Sequence, residues 1–177
     1  MTKKIKLIGQ LDGDKVIVSN NKIRAHLETK AFGEKYDNYT VLDVYETLYL
    51  MEKRNMSIFL KNKEMTKEEI IEHILKITDK QEIMHKFHVY KEIREKGHII
   101  KTGLKFGFDF RVYPLGKNPG ESHTEFVIEV WPQDRVIKPE LIARSIRMAL
   151  GLHATFVLAI IDNELECSYY SLGRTKF

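Results

Sequence analysis

A single cysteine, Cys167, stands in the whole chain. It excludes an intrachain disulfide framework and a zinc site built on several thiolates, and it fits a reducing compartment. Four prolines and ten glycines spread over 177 residues leave no low-complexity linker. No apolar run reaches the roughly 20 residues that a membrane-spanning helix requires. The basic opening, MTKKIK, leads into an alternating strand-like pattern rather than the apolar segment of a signal peptide. Neither sign of charge dominates. The 29 Lys and Arg against 25 Asp and Glu leave +4, which permits an RNA, DNA or acidic partner without demanding one. Together these absences predict a soluble, cytoplasmic protein with no membrane contact. What is present is a core: 43% of the residues are hydrophobic, enough for one domain or two small ones.

The patterning divides the chain near residue 82, into domains 1–82 and 83–177. Ile5 to Leu11 alternates apolar and polar, and Asp12-Gly13 before Val16-Ile17-Val18 is a hairpin signal. Thr40 with Asp43 three residues on predicts a helix carrying Leu42, Tyr45, Leu48 and Tyr49. Ser57 to Leu60 reads as a short strand. Thr66 with Glu69 is a stronger capping box, opening a helix with Ile70, Ile71, Ile74 and Leu75 on one face. The pattern breaks at Thr78-Asp79 and is helical again from Ile83 to Lys96, where Gly97 supplies a stop. Ile99-Ile100, Phe106 to Tyr113 and Thr124 to Trp131 read as strands. Pro139 suits the first turn of a helix that Gly151 ends. Thr155 to Ile161 is nearly all apolar and predicts a central strand covered on both faces. A turn at Asp162-Asn163-Glu164 leads to a last strand, Cys167 to Ser171. The fold class is therefore α/β (α+β) in two small domains, the C-terminal one a mixed central sheet flanked by helices.

Tyr113 ends one strand and His123 begins the next, across a loop rich in turn formers. Such a pair supplies the general base and general acid that RNA transesterification needs. Free tyrosine titrates near 10 and histidine near 6.5, so a tyrosine base calls for nearby cations. Strand-end tyrosines and loop histidines are also common for purely structural reasons. Asp109, Glu125 and Glu129 raise a rival, a metal-dependent DNA nuclease in which carboxylates hold Mg²⁺ and activate water. Such sites add a lysine two residues after the glutamate, and Glu129 is followed by Val130-Trp131. The plainer reading turns these carboxylates outward or pairs them with Arg111. His85, His88 and His98 suggest a metal but lack a fourth ligand. Arg144 and Arg147 share one helix and suit phosphate. Tyr169 and Tyr170 face opposite sides of a strand, one toward the core and one free to stack. Asp162, Glu164 and Glu166 form an acidic turn, either solvated or docked on a basic pocket of another subunit.

The second half resembles the archaeal tRNA-splicing endonuclease (tRNA-intron lyase) family. The resemblance rests on Tyr90-Lys91-Glu92-Ile93-Arg94-Glu95-Lys96-Gly97, on Lys101-Thr102-Gly103-Leu104-Lys105-Phe106-Gly107-Phe108-Asp109-Phe110-Arg111-Val112-Tyr113, on Ser122-His123 and on Leu158-Ala159-Ile160-Ile161-Asp162. It covers most of 83–177 and is weaker before that. The length is similar to that of the short single-unit members, which act as tetramers. The resemblance implies cleavage of precursor tRNA at both intron boundaries, within a bulge–helix–bulge fold, without metal or cofactor. The 2′-OH attacks the adjacent phosphate, leaving a 2′,3′-cyclic phosphate and a 5′-OH. Tyr113 matches the family's general base and His123 its general acid. Arg147 and Tyr169 match residues that sandwich a bulge base between two subunits. Asp162, Glu164 and Glu166 match a loop that docks on a neighbouring subunit, and the last strand matches one that pairs across a two-fold axis.

The chain departs from the family at Ala154, where the resemblance implies a lysine whose charge stabilises the transition state. No lysine occurs between Ala143 and Ser171. His153 is adjacent, but a shift of one residue along a strand points to the other face. The chain is then either an engineered lysine-to-alanine form of an active enzyme or a natural non-catalytic subunit of a heteromer. Retention of Tyr113 and His123 favours the first. Either way cleavage is expected to fall by ~10²–10³, while RNA binding, spread over many phosphate contacts, survives.

Overall fold

Two sheets organise the chain. The computed structural model describes residues 5–74 and 80–175. Asp-Gly closes the first hairpin as its composition dictates: β1 (Ile8–Asp12) pairs antiparallel with β2 (Lys15–Val18), with Asp12 opposite Lys15 and Gly13 at φ +59°. Helix α1 (Asn21–Glu28) follows, its first turn capped by the Asn20 side chain, which accepts from the Lys22 and Ile23 amides. The strands β3 (Glu34–Lys35) and β4 (Thr40–Leu42) lead into α2 (Val44–Arg54). Next come β5 (Ser57–Leu60), β6 (Lys63–Met65) and α3 (Lys67–Ile74). The first sheet runs β3-β4-β2-β1-β5-β6, antiparallel except for the parallel β1–β5 pair. Leu27, Leu42, Leu48, Leu50, Ile58 and Ile70 are fully buried in its core. Each contributes about 1.5–3 kcal/mol.

Helix α4 (Lys80–Glu95) carries the chain from the first compact unit to the second, which divide between Phe87 and His88. The second unit continues with β7 (Ile99–Thr102), a 3₁₀ turn at Leu104–Phe106, β8 (Phe110–Tyr113) and β9 (Phe126–Pro132). Then come α5 (Pro139–Gly151), β10 (Thr155–Ile161) and β11 (Cys167–Leu172). The sheet order is β11-β10-β9-β8-β7, with only β9–β10 parallel. One face is filled from α4, where Tyr90 meets Phe110 at 6.1 Å between ring centroids. The other packs on α5 through Val127, Trp131, Ala149, Phe156 and Leu158. The fold is mixed α+β in two small domains, the second a mixed sheet between helices, as the patterning predicts. Among the described residues no helix is long and apolar enough to cross a membrane.

Several elements differ from expectation, each for a physical reason. Thr40 is a buried strand residue opposite Val18 and Lys35, not a helix cap. The capping box lies one turn later: Asp43 accepts from the Glu46 amide at 2.8 Å, and Glu46 accepts from the Asp43 amide at 3.3 Å. The run from Phe106 to Tyr113 is strand only from Phe110, because Gly103 and Gly107 turn its first part into a 3₁₀ corner. A Cβ on Gly103 would lie 2.9 Å from the Phe108 carbonyl oxygen. Gly107 sits at φ +77° against the Met148 side chain. The first strand begins at Ile8 rather than Ile5, while β10 is an interior strand between β9 and β11 buried on both faces, as expected. Leu75 and the break at Thr78-Asp79 lie outside the described residues.

Candidate active site

Tyr113 is positioned by the edge hairpin β7–β8. Its backbone pairs with Ile99, and its carbonyl oxygen lies 3.1 Å from His98 Nδ1. The His98 carbonyl in turn accepts from Arg94 Nη1 at 3.3 Å, which fastens the end of α4 to the start of β7. Within β8, Arg111 and Tyr113 share a face. Arg111 is directly opposite Val127, whose side chain lies in the α5-side core, so this is the α5 face. Tyr113 is buried.

His123 is exposed in the loop that joins β8 to β9. The loop is folded on itself. The Glu121 carboxylate accepts from the Asn118 amide at 3.0 Å and from Asn118 Nδ2 at 3.2 Å, and these bonds hold its carboxyl below the usual range. The chain re-enters the sheet where the Glu125 amide donates to Val112 O at 2.9 Å and Glu125 O accepts from the Thr155 amide at 2.9 Å. His123 is therefore held two residues from the last ladder bond of the central strand.

Ala154 directly precedes β10. Val112, Phe126 and Thr155 form one row across β8, β9 and β10. Tyr113 and Ala154 both lie one residue beyond that row, on the α5 face, on either side of the strand that His123 introduces. Neighbouring strands are about 4.8 Å apart, so β8 and β10 are about 10 Å apart. The three positions thus converge on one end of the sheet. The Ala154 methyl is buried among Phe108, Val127, Ala149 and Phe156. His153, exposed at φ +56°, sits in the corner between α5 and β10, not on a strand, so strand alternation does not govern where it points.

The remaining candidates occupy both faces. Arg147 is exposed on α5. Tyr169 lies on the α4 face, opposite Ala159, and its hydroxyl donates to Glu92 Oε2 at 2.8 Å. Arg147 and Tyr169 are therefore not brought together within one chain. Burial and then the bond to Glu92 push the Tyr169 hydroxyl well up, so it stays a donor. Burial would raise Glu92, but bonds from Lys96 and Tyr169 outweigh it and leave the carboxyl lowered. Burial also pushes the Cys167 thiol up to about 11. Tyr170, next to Tyr169 in the strand, is 51% exposed and is the freer ring. In the acidic turn, Asp162 Oδ1 accepts from the Glu164 and Glu166 amides at 2.9 Å each, leaving the glutamates exposed.

Two of the three carboxylates of the metal reading are engaged elsewhere, and the third, Glu125, is exposed. Asp109 Oδ2 accepts from the Val130 amide at 2.8 Å, and Glu129 accepts from Trp131 Nε1 at 3.0 Å and from Ser145 Oγ. Among the described residues no group of three or more His, Cys, Asp or Glu is arranged to hold a metal ion.

Comparison with known proteins matches the chain in two stretches. Residues 83–169 match the tRNA intron endonuclease catalytic C-terminal domain, and residues 7–71 match the N-terminal domain of that enzyme. The chain belongs to the tRNA intron endonuclease family. A tRNA-splicing endonuclease of Thermococcus onnurineus is 32% identical over 169 residues, covering 95% of this chain and 96% of the relative. That of Thermococcus kodakarensis is 30% identical over 172 residues, 97% of this chain and 99% of the relative. That of Methanothermobacter thermautotrophicus is 29% identical over 163 residues, 92% and 94% respectively. Membership gives an endonuclease of tRNA splicing, with tRNA as the substrate class. In this endonuclease chain, residue patterning missed the two groups nearest the strand end. Patterning offers Arg111 only as a partner for carboxylates, and His98 only as one of three histidines that lack a fourth metal ligand.

Proposed function

We propose that the chain is a tRNA-splicing endonuclease subunit that cleaves precursor tRNA at intron boundaries, in a bulge–helix–bulge fold, by metal-independent transesterification in the cytoplasm. Tyr113 takes the proton from the 2′-OH, whose oxygen then bonds to the adjacent phosphorus. The P–O5′ bond breaks as His123 gives its proton to the leaving oxygen. The products are a 2′,3′-cyclic phosphate and a 5′-OH. No cofactor is required. What carries this reading is the meeting of a strand-end tyrosine and a loop histidine at the same end of the sheet as position 154. Arg147 and Tyr169 contact bulge bases, from two different subunits of a homotetramer. Its interfaces use the edge of β11 and the turn of Asp162, Glu164 and Glu166.

With alanine at 154 the developing phosphorane charge lacks its cation, and the chain is a lysine-to-alanine inactivated form. The alternative is a non-catalytic subunit of a heteromer. The apolar packing of the Ala154 methyl favours that alternative, since a lysine there must thread its stem out of the core. The deciding experiment incubates the parent and Ala154→Lys with a bulge–helix–bulge RNA in EDTA and resolves the end groups. Cleavage to cyclic phosphate about 10²–10³ faster in the variant supports the inactivated enzyme. Binding without cleavage by either protein supports the scaffold subunit. Cleavage of DNA that EDTA abolishes would instead restore the metal-dependent nuclease.

A further inference from the structure

The corner between β7 and β8 positions a cation as well as turning the chain. Gly103 and Gly107 fold residues 104–106 back, so that the Phe106 ring lies 4.5 Å from the Arg111 guanidinium carbon. The same carbon is 5.9 Å from the centre of the Tyr113 ring. Arg111 Nε donates to Thr102 O at 3.4 Å. Among the described residues no carboxylate pairs with Arg111, and its two terminal nitrogens meet no acceptor. Directly across the hairpin stands Lys101, which adds positive charge on the same face.

A guanidinium packed on an aromatic ring has already lost much of its rotamer freedom, while the N–H groups on its edge remain able to donate. Here the edge belongs to a half-buried cation with no anion of its own, on the face and strand of Tyr113. Paired donors of this kind match the oxygens of a phosphate. We propose that Arg111, held by Phe106, is an RNA-contact residue that binds a backbone phosphate of the strand lying at Tyr113. The inference rests on the RNA-processing reading above and adds a phosphate site on β8.

The test is the salt dependence of binding, measured with the full chain and a labelled bulge–helix–bulge RNA in EDTA between about 50 and 200 mM salt. Losing one phosphate contact lowers the slope of log affinity against log salt by ~0.7–0.9. Arg111→Gln is expected to show that loss together with about tenfold weaker binding at low salt. Arg111→Lys keeps the charge and hence the slope, and Phe106→Leu, which removes no charge, also keeps it. A merely structural role would weaken binding without changing the slope. If Arg111→Gln does not fold, RNAs with one neutral methylphosphonate near the cut take its place: one position must lower the parent's slope by the same amount. A folded Arg111→Gln with the parent's slope and affinity overturns the assignment of Arg111. A methylphosphonate series with no such position does the same. A parent that binds neither this RNA nor precursor tRNA overturns the functional reading itself, and the Arg111 contact with it.

Discussion

At the scale of single residues, the second unit separates groups that hold the sheet from groups available to chemistry. Glu92 holds the sheet, joining α4 to β11 through Tyr169 and to its own helix through Lys96, 2.5 Å away. Its folded-state carboxyl is lowered, so its contribution is present above its unfolded value of about 4.3 and is lost as pH falls through the folded value. Tyr169→Phe is expected to cost roughly 1 kcal/mol at pH 7. The cost should shrink as pH falls through that lowered folded value, where a protonated Glu92 is a poorer acceptor. Urea unfolding at neutral pH and below that folded value checks this, and the retained ring should leave RNA affinity unchanged. A cost independent of pH would mean that Tyr169 contributes by packing alone.

At the scale of elements, the local signals with a built-in hydrogen-bond geometry read true. Thr66 and Glu69 bond reciprocally, with the Glu69 amide to Thr66 Oγ1 at 3.1 Å and the Thr66 amide to Glu69 Oε2 at 2.9 Å. The other box was displaced by three residues because Thr40 and Asp43 mimic the spacing of Asp43 and Glu46. Only the pairing of Thr40 with β2 and β3 tells them apart. Helix α1 leaves little mark in the sequence because its buried stripe is just Ile23 and Leu27 in an otherwise polar segment. The two- and three-residue strands β3 and β6 are sheet edges that sequence alternation is too short to mark. Glu46 is 2% exposed and accepts from the Gly33 amide at 2.9 Å as well as capping α2. Glu46→Ala leaves buried donors unmet and is expected to cost about 2–3 kcal/mol, measurable as a lower urea midpoint with an unchanged m value. A loss under 0.5 kcal/mol, the range of ordinary surface changes, would show that the cap is dispensable.

At the scale of the whole molecule, the proposed assembly makes a direct mass prediction. A homotetramer of a 20.8 kDa chain has a mass of about 83 kDa in light scattering behind gel filtration. Replacing both Glu164 and Glu166 with lysine should shift that mass downward if the acidic turn docks on a basic pocket, because like charges meeting there oppose association. A parent that elutes as a 20.8 kDa species would remove the homotetramer and leave the heteromeric arrangement. RNA affinity should fall steeply with salt, since phosphate contacts spread over a mildly basic surface supply it.

Residue order alone determined the two-part organisation, the hairpin at Gly13, the helix opened by Thr66, the buried run Thr155 to Ile161, and the family resemblance that singles out Tyr113, His123 and Ala154. These are local properties: a turn chemistry, a cap spacing, a period of two, a motif. Tertiary structure decided what the positions do together. Ala154 lies 41 residues beyond Tyr113 in the chain, and only the order β8-β9-β10 and its register bring them to one end of one sheet. Likewise Phe106 meets Arg111 only because two glycines bend the motif into a corner rather than a continuous strand. Pairing between strands and backbone reversal are non-local, so the patterning of a single stretch carries the residues of the site but not their arrangement.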